Sequence, residues 1–267
     1  MAITTKAGGQ KPRSARAGVV HDLTLADLRA ALGAGWRDYR AHPAYGLFFA
    51  AIFVAAGAFL TWATATRGAI DWLVLAAAGF PLLAPFCAVG LYEVSRCRES
   101  GLALRWGAVL GALRGRGDEQ ILSMGVILFV AFGFWLMIAH GIFAVFLAES
   151  GVGSESMALF QTGAGIAMLF VGGAVGALIA LAFYTVTVIS LPMLLDRDID
   201  FLTAIITSLA AVNANRLVLM VWAMLIAAAL FAAMLPAFLG LLVVLPVLGH
   251  ATWHLYRRTV LPDPVQR

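Results

Sequence analysis

Phe80–Arg98, FPLLAPFCAVGLYEVSRCR, is an apolar run with prolines in its first half that ends in an aromatic residue and then an arginine-bearing polar exit. The design returns at Leu245–Arg258, LPVLGHATWHLYRR. Counted from Pro85 and Pro246, an aromatic residue lies seven positions on (Tyr92, Trp253), a titratable group at eight (Glu93, His254) and an arginine at eleven (Arg96, Arg257). A shorter relative, Ile189–Asp200, ISLPMLLDRDID, closes the middle of the chain. Apolar length, then an aromatic residue, then charge is the order a helix meets on leaving a bilayer core through its interface. The chain is therefore read as a membrane protein.

Composition agrees. Hydrophobic residues make up 62% of the chain and charged residues 12%, about half the charged share of a soluble domain. Several uncharged runs exceed about 18 residues, enough to span a bilayer core as helix. The basic residues flank these runs instead of forming a patch, so the pI near 9.4 reports membrane orientation and not nucleic-acid binding. Cys87 and Cys97 belong to no metal or haem-attachment spacing; both are read as reduced, Cys87 in a span and Cys97 cytoplasmic. No cofactor is implied.

Residues 1–22 read as a disordered basic tail without the pattern of a cleaved signal peptide. Leu23–Arg40 follows as a helix, with Thr24 and Asp27 forming a capping box and Leu25, Leu28, Leu32 and Trp36 making one apolar stripe. The six-span membrane domain covers 23–258, with spans at about 44–66, 72–92, 121–148, 162–191, 217–235 and 238–256, and a tail at 259–267. Amphipathic helices are expected near 102–113 and, capped by Asp200, over 201–215. The fold class is all-α. The order amphipathic helix, span, span recurs from near Leu25, Leu104 and Phe201, which suggests three parallel repeats. Every lysine and arginine except Arg67 falls in the N-terminal tail with its helix, the loops at 93–120 and 196–216, or the C-terminal end beyond the sixth span, so the positive-inside rule puts both termini in the cytoplasm.

Few residues carry chemistry. His250 and His254, four apart, share one helix face and could ligate a metal or haem iron with Glu93 as an oxygen donor; the plainer reading is an interfacial belt. His140 is the one titratable group well inside the third span, and with Glu93 it is the candidate for a transport path. Asp196, Asp198 and Asp200 lack the glycine and glutamate of a calcium loop and are read as capping and pairing with Arg197 and Arg216. Gly172 and Gly176 form a GxxxG spacing that permits close helix approach, and their span is the expected centre of the bundle. No GxSxG motif or catalytic triad is evident, so no enzyme activity is expected.

The stretches LRAALGAGWRDYRAHPAYGLFF, PFCAVGLYEVSR, SLPMLLDRDIDFLTAIITS and LPVLGHATWHLYR together resemble an uncharacterised bacterial family, domain of unknown function 2189, over about 23–260. The resemblance implies location in the bacterial inner membrane and no established activity. Members are sometimes labelled cytochrome c oxidase subunit I-like. That subunit ligates two haems and a copper from histidines within its spans, whereas only His140, His250 and His254 lie near membrane depth here. The expected role is a non-enzymatic accessory or scaffold subunit of a membrane complex, possible beside a respiratory one, in contact with the lipid bilayer and with other membrane proteins or further copies of itself. A small-solute or proton-coupled transporter is the alternative, and a metal- or haem-binding membrane protein the third.

Overall fold

The computed structural model describes residues 18–67, 87–112, 120–151, 159 and 161–261. Among them are helices α1 (Leu25–Ala41), α2 (Pro43–Arg67), α3 (87–99), α4 (Trp106–Gly111), α5 (Gln120–Ser150), α6 (Gly163–Thr187), α7 (Ser190–Asp196), α8 (Phe201–Ala214), α9 (Arg216–Met234) and α10 (Leu241–Thr259). The described residues contain no strand; an isolated antiparallel bridge joins Val19 to Val260.

Local chemistry sets the helix ends. The expected capping box opens α1: the Thr24 side chain accepts from the Asp27 N–H, and the Asp27 carboxylate accepts from the Thr24 N–H. Pro43 then begins α2, where its missing N–H costs nothing. Asp200 caps α8 by accepting from the Thr203 N–H at 2.8 Å. The expected helix over 102–113 is shorter, six residues from Trp106 to Gly111, with 113 outside the described residues.

Among the described residues, four helices are long and apolar enough to cross a membrane: Pro43–Ala63, Gln120–Ser150, the continuous apolar stretch Gly163–Asp196, and Arg216–Met234. They correspond to the first, third, fourth and fifth expected spans. Residues 72–86 of the second lie outside the described residues; its end, 87–92, opens α3, which runs on as helix through the expected polar loop to residue 99. Cys97, expected in that loop, is buried. The sixth became α10, which falls outside the four because its second half is polar; that half is packed inside the protein.

That packing corrects the expected centre of the bundle. The α6 span exposes Ile166, Leu169, Phe170 and Leu178, whereas α10 buries Leu248, His250, Ala251, Trp253, Leu255 and Tyr256. Helices α1 and α2 run antiparallel along α10. Arg258 meets Asp27 at 3.0 Å, Gly35 lies on Val247 and Ala251, and Gly46 lies on Pro246. At Gly35 a Cβ would stand 2.6 Å from the Ala251 nitrogen and 2.7 Å from the Val247 oxygen, so the two backbones touch.

This contact also turns α1 away from its expected stripe. Its buried face is Leu28, Ala31, Gly35, Asp38 and Tyr39, while Leu25 and Trp36 are exposed. Small residues win here because they admit α10, and Asp38 goes inward because partners await it there. Between α9 and α10 the expected turn at Pro236 passes through Ala237 and Phe238 at φ 49° and 65°, a left-handed conformation costing about 1–2 kcal/mol per non-glycine residue.

Candidate functional site

Glutamate, aspartate and histidine converge where α3, α7 and α10 leave the apolar layer. From α1, Asp38 reaches into the contact between α3 and α10. Its Oδ2 accepts from Ser95 Oγ at 2.6 Å and from His254 Nε2 at 2.8 Å, and its Oδ1 accepts from Arg98. Ser95 spends its single proton on Asp38, so in the 2.9 Å contact with His250 the Nδ1 nitrogen is the donor. His250 Nε2 is left buried with no partner among the described residues. Burial alone would push the Asp38 carboxyl up; the hydrogen bonds from His254 and Ser95 outweigh it and hold it below the usual carboxylate value.

A second network adjoins the first. Arg257 donates from Nε to Glu99 at 3.0 Å and from Nη1 to Asp196 at 3.1 Å. Trp253 Nε1 donates to Glu99 at 2.9 Å, and the Tyr256 hydroxyl donates to Asp196 at 2.7 Å. The polar exits of Phe80–Arg98, Ile189–Asp200 and Leu245–Arg258 thus meet at one place, tied by Arg257. Asn215 fastens the N-terminal segment beside it, donating to the Val20 carbonyl and accepting from the Leu23 N–H.

The sequence-derived candidates are distributed unevenly around this junction. His250 and His254 do share a face, but they converge on Asp38 and Ser95. Glu93 points elsewhere: it accepts two hydrogen bonds from Arg96, at 2.7 and 2.6 Å, and one from Cys97 Sγ at 3.3 Å. Among the described residues no group of three His, Cys, Asp or Glu side chains could hold a metal ion. The interfacial-belt reading is also replaced, because His250 and Trp253 are fully buried. His140 lies on the exposed face of α5 with Nδ1 3.0 Å from its own Leu136 carbonyl. At Gly172 an added Cβ would meet only Ile142 Cγ2 at 3.9 Å, and at Gly176 the Trp135 ring at 3.3 Å.

Asp200 caps α8 as expected, whereas Asp196 pairs differently from expectation. Asp196 takes Tyr256 and Arg257, while Arg197 donates to the Leu261 carbonyl and Arg216 to Asn213. Asp38, Ser95 and Asn215 escaped sequence reading altogether. The apolar pattern carried no signal for Asp38, which at about 100° per residue stands roughly 80–160° around the helix from Leu25, Leu28, Leu32 and Trp36.

Ser95, His250 and Asp38 are the residue types of a nucleophilic relay, but their order differs. In such a relay histidine takes the hydroxyl proton and the carboxylate orients the histidine. Here the hydroxyl donates directly to the carboxylate, and Ser95 is fully buried. The arrangement can hold charge and lock three helices together.

Apolar spanning helices capped at one end by such a junction define a multi-pass integral membrane protein. Residues 73–196 match the model of domain of unknown function 2189, a family of predicted integral membrane proteins. The match includes PFCAVGLYEVSR and the opening of SLPMLLDRDIDFLTAIITS; the other two stretches that carried the resemblance fall outside it. The cytochrome c oxidase label gains no support from it. No curated protein and no solved structure matches the chain.

Proposed function

We propose that the chain crosses the bacterial inner membrane six times with both termini cytoplasmic, and serves as a non-enzymatic scaffold or accessory subunit for other membrane proteins. Two returns support the count beyond the four long spans. Helix α2 leads from the junction to Arg67, yet Ser95 of α3 is back beside Asp38, so the chain returns between them. Helix α10 likewise runs from the Phe238 turn, over Gly57, back to His254 at the junction. In the three-repeat reading, α3, α7 and α10 close successive units, and their meeting at Arg257 is where such units would join.

The observation that carries the scaffold role is the division of surfaces. The charged side chains of the junction are paired with one another, while α5, α6 and α9 present wide apolar faces, with Phe134, Met137, Phe170, Leu178 and Met224 all exposed. Exposed apolar helices in a bilayer meet lipid or other helices. The transport reading has less support, since His140 faces outward and Glu93 is held by Arg96. Affinity purification of the tagged protein in mild detergent should bring stoichiometric membrane partners, identified by mass spectrometry. Recovery of the protein alone would overturn the proposal.

A further inference from the structure

A cavity of about 490 Å³ opens between α3, α5, α6 and α9, within the size range of sites that enclose a small ligand. It runs along α6 from Gly176 to Thr187, about 16 Å at the helical rise. Its walls are apolar, Phe132, Trp135, Ile179 and Phe183 among them. The polar groups lining it are mostly spent: Thr187 donates to Phe183, Thr252 to Leu248, and Tyr184 to the Leu219 carbonyl. The exceptions are the Trp135 indole N–H, beside Gly176 at one end, and the Tyr92 hydroxyl. Tyr92 lines the end nearest the charged junction, is only 5% exposed, and its hydroxyl has no hydrogen-bond partner among the described residues.

A hydroxyl on a buried side chain with apolar surroundings normally finds a partner, and a void of this size forfeits the packing its lining would otherwise gain. Both deficits are met by one occupant. We propose that the slot holds an acyl chain of a membrane phospholipid, with the Tyr92 hydroxyl donating to the ester carbonyl. The fit follows from depth. Tyr92 is followed at once by Glu93 and Arg96, where the apolar layer ends, and a glycerolipid carries its ester oxygens at that boundary with the hydrocarbon chain running inward from it. The slot is long in the same direction. The assignment depends on the spans being embedded in lipid and is independent of the scaffold role.

Retention of palmitoyl-oleoyl phosphatidylethanolamine by the detergent-purified protein, counted by native mass spectrometry during detergent exchange, tests it. The wild type is expected to keep one lipid. Ala180→Trp, which fills the slot, should lose at least tenfold in retention, while Leu178→Trp, on the exposed opposite face of α6, should match the wild type. Tyr92→Phe keeps the shape, removes the donor and should weaken retention about fivefold, as for loss of one hydrogen bond. Equal retention by the two tryptophan variants overturns the site; unchanged retention in Tyr92→Phe overturns the donor. Recovery of an ester-free isoprenoid in place of phospholipid overturns the ligand class.

Discussion

Asp38 is a carboxylate with three donors and almost no water. Removing one partner from a buried charge pair leaves the other uncompensated, typically at a cost of about 3–5 kcal/mol. Asp38→Asn, which strands Arg98 and His254, should therefore lower stability by about 3 kcal/mol, read as a fall in the thermal midpoint in detergent. Its pH dependence has a definite sign. The folded carboxyl titrates below its ordinary value, so its contribution is complete above the unfolded carboxylate pKa and is lost as pH falls through the folded one. Acidification from neutral toward pH 3 should narrow the gap between wild type and Asp38→Asn. Arg257 offers a contrast: its side chain is 38% exposed, solvent screens its pairs, and Arg257→Ala should cost only about 0.5–1 kcal/mol. The shared face of His250 and His254 was legible because helical spacing is local. Asp38 and Ser95, the groups they meet, were not, because those contacts span 216 and 155 positions of chain, respectively.

Helix α1 is held to α10 backbone to backbone, and glycine at position 35 makes that possible. Gly35→Ala places a methyl within 3 Å of three backbone atoms of α10 that cannot rotate away. Overpacking of that kind costs about 1–3 kcal/mol, and here it should also loosen Asp38 from His254. Gly172→Ala is the opposite case. Its Cβ meets only Ile142 at 3.9 Å, so the gain in helix propensity, roughly 0.5–1 kcal/mol, should leave stability unchanged or slightly higher. Thermal melts of both variants in one detergent decide this. The GxxxG spacing of α6 signalled capacity for close approach, but spacing does not say which neighbour arrives. The stripe on α1 was misread for a related reason: hydrophobicity ranked Leu25 and Trp36 as core, whereas the partner helix selected the smallest side chains.

The described ends of the chain lie on one side of the molecule, since Val19 pairs with Val260 and Leu261 N–H donates to the Gly18 carbonyl. An even number of crossings follows for these ends. With six, Gly151→Cys, after α5, should react with a membrane-impermeant maleimide added outside intact spheroplasts, and Asp198→Cys only after permeabilisation; the native Cys87 and Cys97 are buried and should react slowly. Labelling of both from outside would refute the orientation. The sequence by itself determined the membrane class, the all-helical architecture, the helix caps and four of the spans, because hydrophobic length, capping and charge asymmetry act within one or a few turns. Only the tertiary structure decided that α10 is the axis, that its polar half is buried and that three distant exits share Arg257. A polar residue inside a helix is read as exposed until a partner from another element offers it hydrogen bonds, and that partner is set by packing across the whole chain.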